Sequence, residues 1–106
     1  MVKQYEVYWI ALDPTQGGEI TKTRPCVIVS PTSLNNHLKT VIIAPITSTI
    51  RNVSFRVRCS IAGRNGEIAV DQTRTVDKTR LKKAIGTLND YEISELQHVY
   101  HQMLCL

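Results

Sequence analysis

The sequence predicts a mainly β protein, a small and strongly bent barrel or sandwich of short strands with one helix packed on it. Three observations carry that expectation. Short runs of β-branched and aromatic residues recur from Glu6 to Leu88. Gly, Pro, Asn and Asp punctuate them. Helical spacing of apolar residues then appears at the end, after Asn89. The 106 residues suit one domain, expected to span 1–106.

The elements read in order as follows. Glu6 to Leu12 (EVYWIAL) is a strand that stops at the turn signal Asp13-Pro14. Thr15 to Thr23 (TQGGEITKT) is a polar loop with paired glycines. Pro25 to Ser30 (PCVIVS) is a short apolar strand, and Thr32 to His37 forms a turn or a short helical piece. Thr40 to Ile46 (TVIIAPI) is another buried strand, and Pro45 predicts an edge or a bend there. Phe55 to Cys59 alternates apolar and basic residues, as a half-exposed strand does. Gly63 to Gly66 reads as a turn that leads into a strand from Gly66 to Asp71. Val76 to Leu81 reads as a helical turn or bend, and Ala84 to Leu88 as a last strand. Asn89 or Asp90 caps a helix with Glu92 in its first turn. Ile93, Leu96, Val99, Tyr100, Met103 and Leu104 make its apolar face.

Charge is distributed unevenly. Residues 1–83 hold all 13 Lys and Arg against six acids, a net +7, and residues 84–106 carry −3. A basic body suits a polyanion, although ordinary surface charge can also segregate this way. Cys26, Cys59 and Cys105 are odd in number and widely spaced, which argues against a disulfide framework or a zinc knuckle and for the reducing cytoplasm. The N-terminus has no apolar h-region, and no apolar run approaches the ~20 residues of a membrane helix. Neither a signal peptide nor a membrane span is expected.

RNA can be cut with its own ribose 2′-hydroxyl as nucleophile. Such a site needs a base for that hydroxyl, an acid for the departing 5′ oxygen and donors for the charge growing on phosphorus. Glu19 and Arg24 in TQGGEITKTRP offer a carboxylate and a guanidinium, and Gly17-Gly18 allows close approach to a phosphate. The planar fork of Arg24 matches phosphate oxygens. Thr47 and Ser48, just past TVIIAPI, offer hydroxyl donors. Each residue has a plainer reading. Glu19 and Arg24 can be an exposed loop pair, Thr47 and Ser48 can satisfy turn groups, and Arg74 and Lys78 can be solvated charges. Arg80 belongs to the same basic body and is expected to serve RNA affinity alone.

The stretch EVYWIALDPTQGGEITKTRPCVIVSP supplies an acidic residue, a V-x-W run, LDPT, a G-x-E loop, then RP and an apolar strand ending in SP. APITS at 44–48, GEIAVDQTRTVDKTRL at 66–81 and IGTL at 85–88 follow in order. Together these resemble the MazF/PemK family of type II toxin–antitoxin endoribonucleases over nearly the whole chain. The resemblance implies an SH3-like barrel with a C-terminal helix, a working homodimer and a cognate antitoxin. It implies sequence-selective cleavage of single-stranded RNA, leaving a 2′,3′-cyclic phosphate and a 5′-hydroxyl, with no metal and no cofactor.

The family's RP arginine falls on Arg24, its strand-end threonine on Thr47 and its G-x-E glutamate on Glu19. Its DQ-x-[RK] segment falls on Asp71, Gln72 and Arg74. Gly17, Gly18, Lys22, Thr23, Pro25 and Ser48 are expected among the RNA contacts. Tyr5 stands where many members have glycine, a change expected to affect only the strand start. Gly18 stands where another branch has a histidine, and Asp71 matches a carboxylate of that branch, so the base is Glu19 or Asp71. A relative with this fold poisons DNA gyrase by binding alone, and a non-catalytic RNA-binding module is a further alternative. His98, His101 and Cys105 share a helix face but read as solvated, Cys26 as core, and Trp9 as core or dimer contact.

Overall fold

The computed structural model describes residues 1–12 and 22–105. Its elements are β1 (Glu6–Ala11), β2 (Thr23–Ile28), a one-turn helix α1 (Thr32–Asn35), β3 (Thr40–Thr47), β4 (Arg56–Ile61), β5 (Arg64–Ala69), β6 (Arg74–Asp77), β7 (Leu81–Thr87) and α2 (Asp90–Leu104). The strands form one antiparallel sheet in the order β4-β5-β3-β2-β1-β7, with β6 added to β3. This curled sheet with a C-terminal helix is the mainly β class expected.

Two features bend the sheet. β3 pairs with β6 from Thr40 to Ile43, and with β5 from Ile46 to Thr47. The change of partner brackets Pro45, which has no N–H for a ladder, and this is the bend expected there. β1 slips register against β7 between Val7 and Tyr8 and again between Trp9 and Ile10, and such irregularities increase local twist. The curl brings β7 beside β4: a Cβ added at Gly86 would lie 3.2 Å from Ile61 Cγ2.

Both faces of the central strands are covered, so their sequences read as near-continuous apolar runs. Val7, Val27, Ile68 and Val70 face the core that α2 closes with Leu96 and Val99. Ile10, Cys26, Ile28 and Ile43 face a second core with Val41 and Val76. Burial pushes the Cys26 thiol up to about 12 despite the nearby Arg24 and Arg74 guanidiniums, so it is a neutral core group. Asn89 caps α2 in a capping box: its side chain accepts from the Glu92 N–H, and Glu92 accepts from the Asn89 N–H. The second oxygen of Glu92 accepts from the Ser60 N–H at 2.8 Å, which ties the helix start to β4.

The structure moves several boundaries. The tight turn is Ala62-Gly63, with φ of 51° and 77°, the two positive angles of a primed hairpin turn. Arg64, Asn65 and Gly66 therefore belong to β5. Gly66 is a packing glycine: a Cβ there would lie 2.7 Å from the Thr47 carbonyl oxygen. Arg74–Asp77 is a strand followed by a 3-10 turn at Lys78–Arg80, because the edge of β3 offers the ladder that polar residues alone do not announce. Phe55 lies outside β4, exposed and at φ 66°. Tyr5 has φ 72°, and this left-handed backbone explains why glycine suits that position. Its N–H donates to the Ile28 carbonyl and its carbonyl accepts from Leu88, so the residue clasps β2 to the end of β7.

Two substitutions should separate capping from packing in α2. Asn89→Ala should cost about 1 kcal/mol of stability. Leu96→Ala, which empties a fully buried site, should cost about 2–5 kcal/mol. Urea unfolding of both variants measures the two losses, and an Asn89→Ala cost equal to that of Leu96→Ala would contradict the assignment.

Candidate active site

β1 and β2 pair through Ile10↔Arg24 and Ala11↔Thr23, which places Arg24 near the end of the hairpin where the two strands are connected. The Leu12 N–H donates to the Lys22 carbonyl at 3.1 Å. Arg80 Nη1 donates to the carbonyls of Leu12 at 2.8 Å and Ala11 at 3.3 Å. Arg80 is therefore no free charge on a basic surface. It holds the end of β1 from which the 13–21 segment departs. Gly17, Gly18 and Glu19 lie outside the described residues.

Arg24 is half-buried and borders two concavities. The larger, of about 510 Å³, is lined by Arg24 and Pro25 of β2, Thr47, Ser48 and Thr49 at the end of β3, Trp9 of β1, and Arg64 of β5. The smaller, of about 340 Å³, is lined by Arg24 with Leu12, Pro45, Gln72 and Arg74. The fold thus brings together Arg24, Pro25, Thr47 and Ser48 in one groove, and Gln72 and Arg74 in the adjoining hollow. Lys22 and Thr23 are exposed at the hairpin end beside them. Among the described residues no carboxylate lies within ion-pair distance of Arg24, Arg64 or Arg74. Guanidinium forks match the geometry of anionic oxygens, those of phosphate included.

Asp71 is placed differently. It sits in a 3-10 turn (Val70–Gln72), and its carboxylate accepts from Arg56 Nε at 2.8 Å and Nη2 at 3.4 Å. It does not line the groove that holds Thr47. The turn itself is held by Thr73, whose hydroxyl bonds the Val70 carbonyl and the Tyr100 hydroxyl, both at 2.6 Å.

Sequence reasoning missed two residues and read a third, Trp9, as core or dimer contact. Trp9 is half-buried and lines the groove, so it is not a core residue. It pairs with Pro25 across the hairpin, and the Arg64 guanidinium carbon lies 5.8 Å from its ring centroid. Arg64 was hidden because its position depends on the two-residue Ala62-Gly63 turn. The other missed residue is Glu67, 1% exposed, directly opposite Thr47 in the β3–β5 ladder. Its carboxylate accepts from the N–H groups of Arg51 at 3.1 Å and Asn52 at 2.9 Å, with Arg56 and Arg58 each 3.9 Å away. Burial resists its charge, but these backbone donors and the two guanidiniums outweigh that cost and hold its carboxyl below the ordinary value. Its one visible signal was an acid at the head of the apolar run Ile68-Ala69-Val70.

Among the described residues no three His, Cys, Asp or Glu side chains gather as metal ligands would, and His98, His101 and Cys105 are exposed. No helix there is long and apolar enough to cross a membrane.

The depressed carboxyl of Glu67 implies a pH dependence with a definite sign. Its contribution to stability is present above the unfolded carboxyl value of 4.5 and is lost as pH falls through the lower folded value. Urea midpoints should therefore fall more between pH 7 and pH 3 for the wild type than for Glu67→Gln. Equal falls would contradict the account.

Comparison with known proteins agrees with this architecture. Residues 3–104 match the PemK-like, MazF-like toxin of type II toxin–antitoxin systems. The endoribonuclease MazF of Staphylococcus saprophyticus is 32% identical over 104 residues, covering 92% of this chain and 87% of that protein. The MazE–MazF structure from Deinococcus radiodurans aligns with a TM-score of 0.84 at 21% identity, over 97% of this chain and 95% of that one. A mycobacterial endoribonuclease in complex with its cognate antitoxin aligns with a TM-score of 0.83 at 20% identity, over 100% and 97%. Those two likenesses establish the fold, and the match over residues 3–104 establishes the family: this chain belongs to the PemK-like, MazF-like toxins of type II toxin–antitoxin systems.

Proposed function

We propose that this toxin is a sequence-selective endoribonuclease that cuts single-stranded RNA without a metal. The observation that carries the reading is the position of Arg24, between a groove edged by the Thr47 and Ser48 hydroxyls and a hollow edged by Gln72 and Arg74. The endoribonuclease MazF of Staphylococcus saprophyticus, similar over most of both chains, supports it. The scissile phosphate rests on the Arg24 fork. The 2′ oxygen bonds to phosphorus, the bond to the 5′ oxygen breaks, the hydroxyl proton passes to a carboxylate, and solvent water supplies a proton to the departing oxygen. Charge added to the phosphate oxygens meets Arg24, Thr47 and Ser48. The products are a 2′,3′-cyclic phosphate and a 5′-hydroxyl.

Glu19 is the better base of the two candidates, since Asp71 is engaged by Arg56. Two hydrogen bonds from Arg56 hold the Asp71 carboxylate, and it does not line the groove that holds Thr47. Gly17, Gly18, Lys22, Thr23, Pro25, Gln72 and Arg74 serve as RNA contacts around the reacting phosphate.

The working form is a homodimer whose two copies share the groove across a two-fold axis. The cognate antitoxin covers the groove with an acidic or amphipathic segment, its carboxylates taking phosphate positions. Complexes of structural relatives with their antitoxins support that partnership. The three free thiols suit the reducing cytoplasm.

Cleavage should persist in excess chelator and leave a cyclic phosphate; loss in chelator, restored by magnesium, overturns the metal-free reading. Arg24→Ala should bind RNA nearly as tightly as the wild type and cut on the order of a hundredfold more slowly in single turnover. Arg24→Lys should recover little, because an ammonium lacks the fork. Lys39→Ala, at the far end of β3 from Thr47, is the control and should change only the salt dependence of binding. Wild-type cleavage rates for Arg24→Ala would make Arg24 a binding residue, and RNA binding with no cleavage by the wild type would make the protein a binding module.

A further inference from the structure

We propose that Glu67 is a positioning residue for the hydroxyl edge of the groove, setting the Thr47–Asn52 segment through two backbone N–H groups. The inference rests on the reading that Thr47 and Ser48 act on RNA. Three observations carry it. Glu67 is a fully buried acid on β5, directly across from Thr47. Both of its oxygens are committed to one loop, to the N–H groups of Arg51 and Asn52. That loop leaves β3 at Thr47, runs along the groove as Ser48 and Thr49, and returns to the partner strand of its own origin.

The surrounding contacts fit this role. At the near end, Thr47 Oγ1 accepts from the Thr49 N–H at 3.2 Å, and side-chain-free Gly66 lets β5 lie against the Thr47 carbonyl. At the far end, Asn52 adopts φ 54°, a left-handed backbone that asparagine tolerates better than most residues. Arg58 Nη2 donates to its side-chain oxygen at 2.9 Å. Arg56 and Arg58 flank the buried carboxylate, and Asp71 completes the charged group by pairing with Arg56. A buried ion needs such compensation and adds little to stability over an apolar side chain. What it adds here is geometry, because a carboxylate that accepts two successive N–H groups fixes the loop's return point. The span from Thr47 to Asn52 is thereby closed at both ends, and its hydroxyls keep one arrangement toward Arg24.

Glu67→Gln tests this with two readouts. The amide keeps the shape but has one acceptor oxygen, so one of the two loop N–H groups loses its partner. In single turnover at saturating enzyme, cleavage should slow about tenfold to a hundredfold, as small misplacements at a reacting centre do, while RNA affinity changes less than about twofold. In the RNA-free protein, amide hydrogen exchange should rise across Ser48–Asn52 and stay at the wild-type level in β4 and α2. Arg58→Gln, at an exposed side chain, should move both readouts the same way by less, and it decides the question should Glu67→Gln fail to fold. Unchanged exchange at 48–52, an unchanged cleavage rate, or an effect confined to RNA affinity overturns the proposal. A wild type that cuts no RNA would defeat the enzymatic reading instead, and exchange at 48–52 would still show whether Glu67 holds the loop.

Discussion

β3 carries β2 on one edge and, on the other, first β6 and then β5, with Pro45 between the two partnerships. A strand that changes partner midway cannot stay in a flat sheet. The bend sends the β4–β5 hairpin across one end of the β1–β2 hairpin, and the groove forms where they meet. Thr47, Ser48 and Thr49 emerge at that junction, and Arg64 reaches it from the hairpin tip. The hollow containing Gln72 and Arg74 has the same origin, because the 3-10 turn from Val70 to Gln72 bridges the step from β5 to β6.

Apolar burial supplies the cohesion, but buried polar groups determine where the loops go. Glu92 joins α2 to β4 through the Ser60 N–H, and Glu67 joins the end of β3 to its own loop. Asn35 does likewise near the N-terminus: its side chain donates to the carbonyls of Val2 and Ser30, and its own carbonyl accepts from Lys78 Nζ. Each of these groups is costly to bury unless its bonds are made, so each penalises other paths of the chain. Arg80 plays a comparable part in reverse. Its charge is spent on the carbonyls at the end of β1, where the 13–21 segment begins.

The electrostatics of the groove follow from which cations are paired. Arg56 and Arg58 are balanced by Glu67 and Asp71, whereas Arg24, Arg64 and Arg74 have no ion-pair partner among the described residues. Net charge therefore says less than its pairing does. The acid on the 3-10 turn, Asp71, is among those already paired, with Arg56. An aromatic ring, Trp9, lies beside the Arg64 guanidinium in the same groove.

Local chemistry made much of this legible in advance. Apolar runs located β1, β2 and β3, alternation located β4, and Asn89 with Glu92 located the start of α2, because burial period and capping are written into neighbouring residues. The ordered motif from Glu6 to Leu88 pointed to the family, and Arg24, Thr47 and Ser48 do share one groove. Other features were invisible for definite reasons. β6 is a strand because β3 has an edge to offer, which no window of Arg74–Asp77 contains. Trp9 read as core or dimer contact because its place inside an apolar run does not show which face of the strand is covered. The pairing of Arg80 with Leu12 and of Glu67 with Asn52 joins residues far apart in the chain, and their charges read as surface until folding supplies the partners. The sequence by itself determined the elements and the chemistry on offer, since both depend on short-range order. The tertiary structure decided which charges are spent and which remain for a ligand, since that depends on contacts made only when distant strands meet.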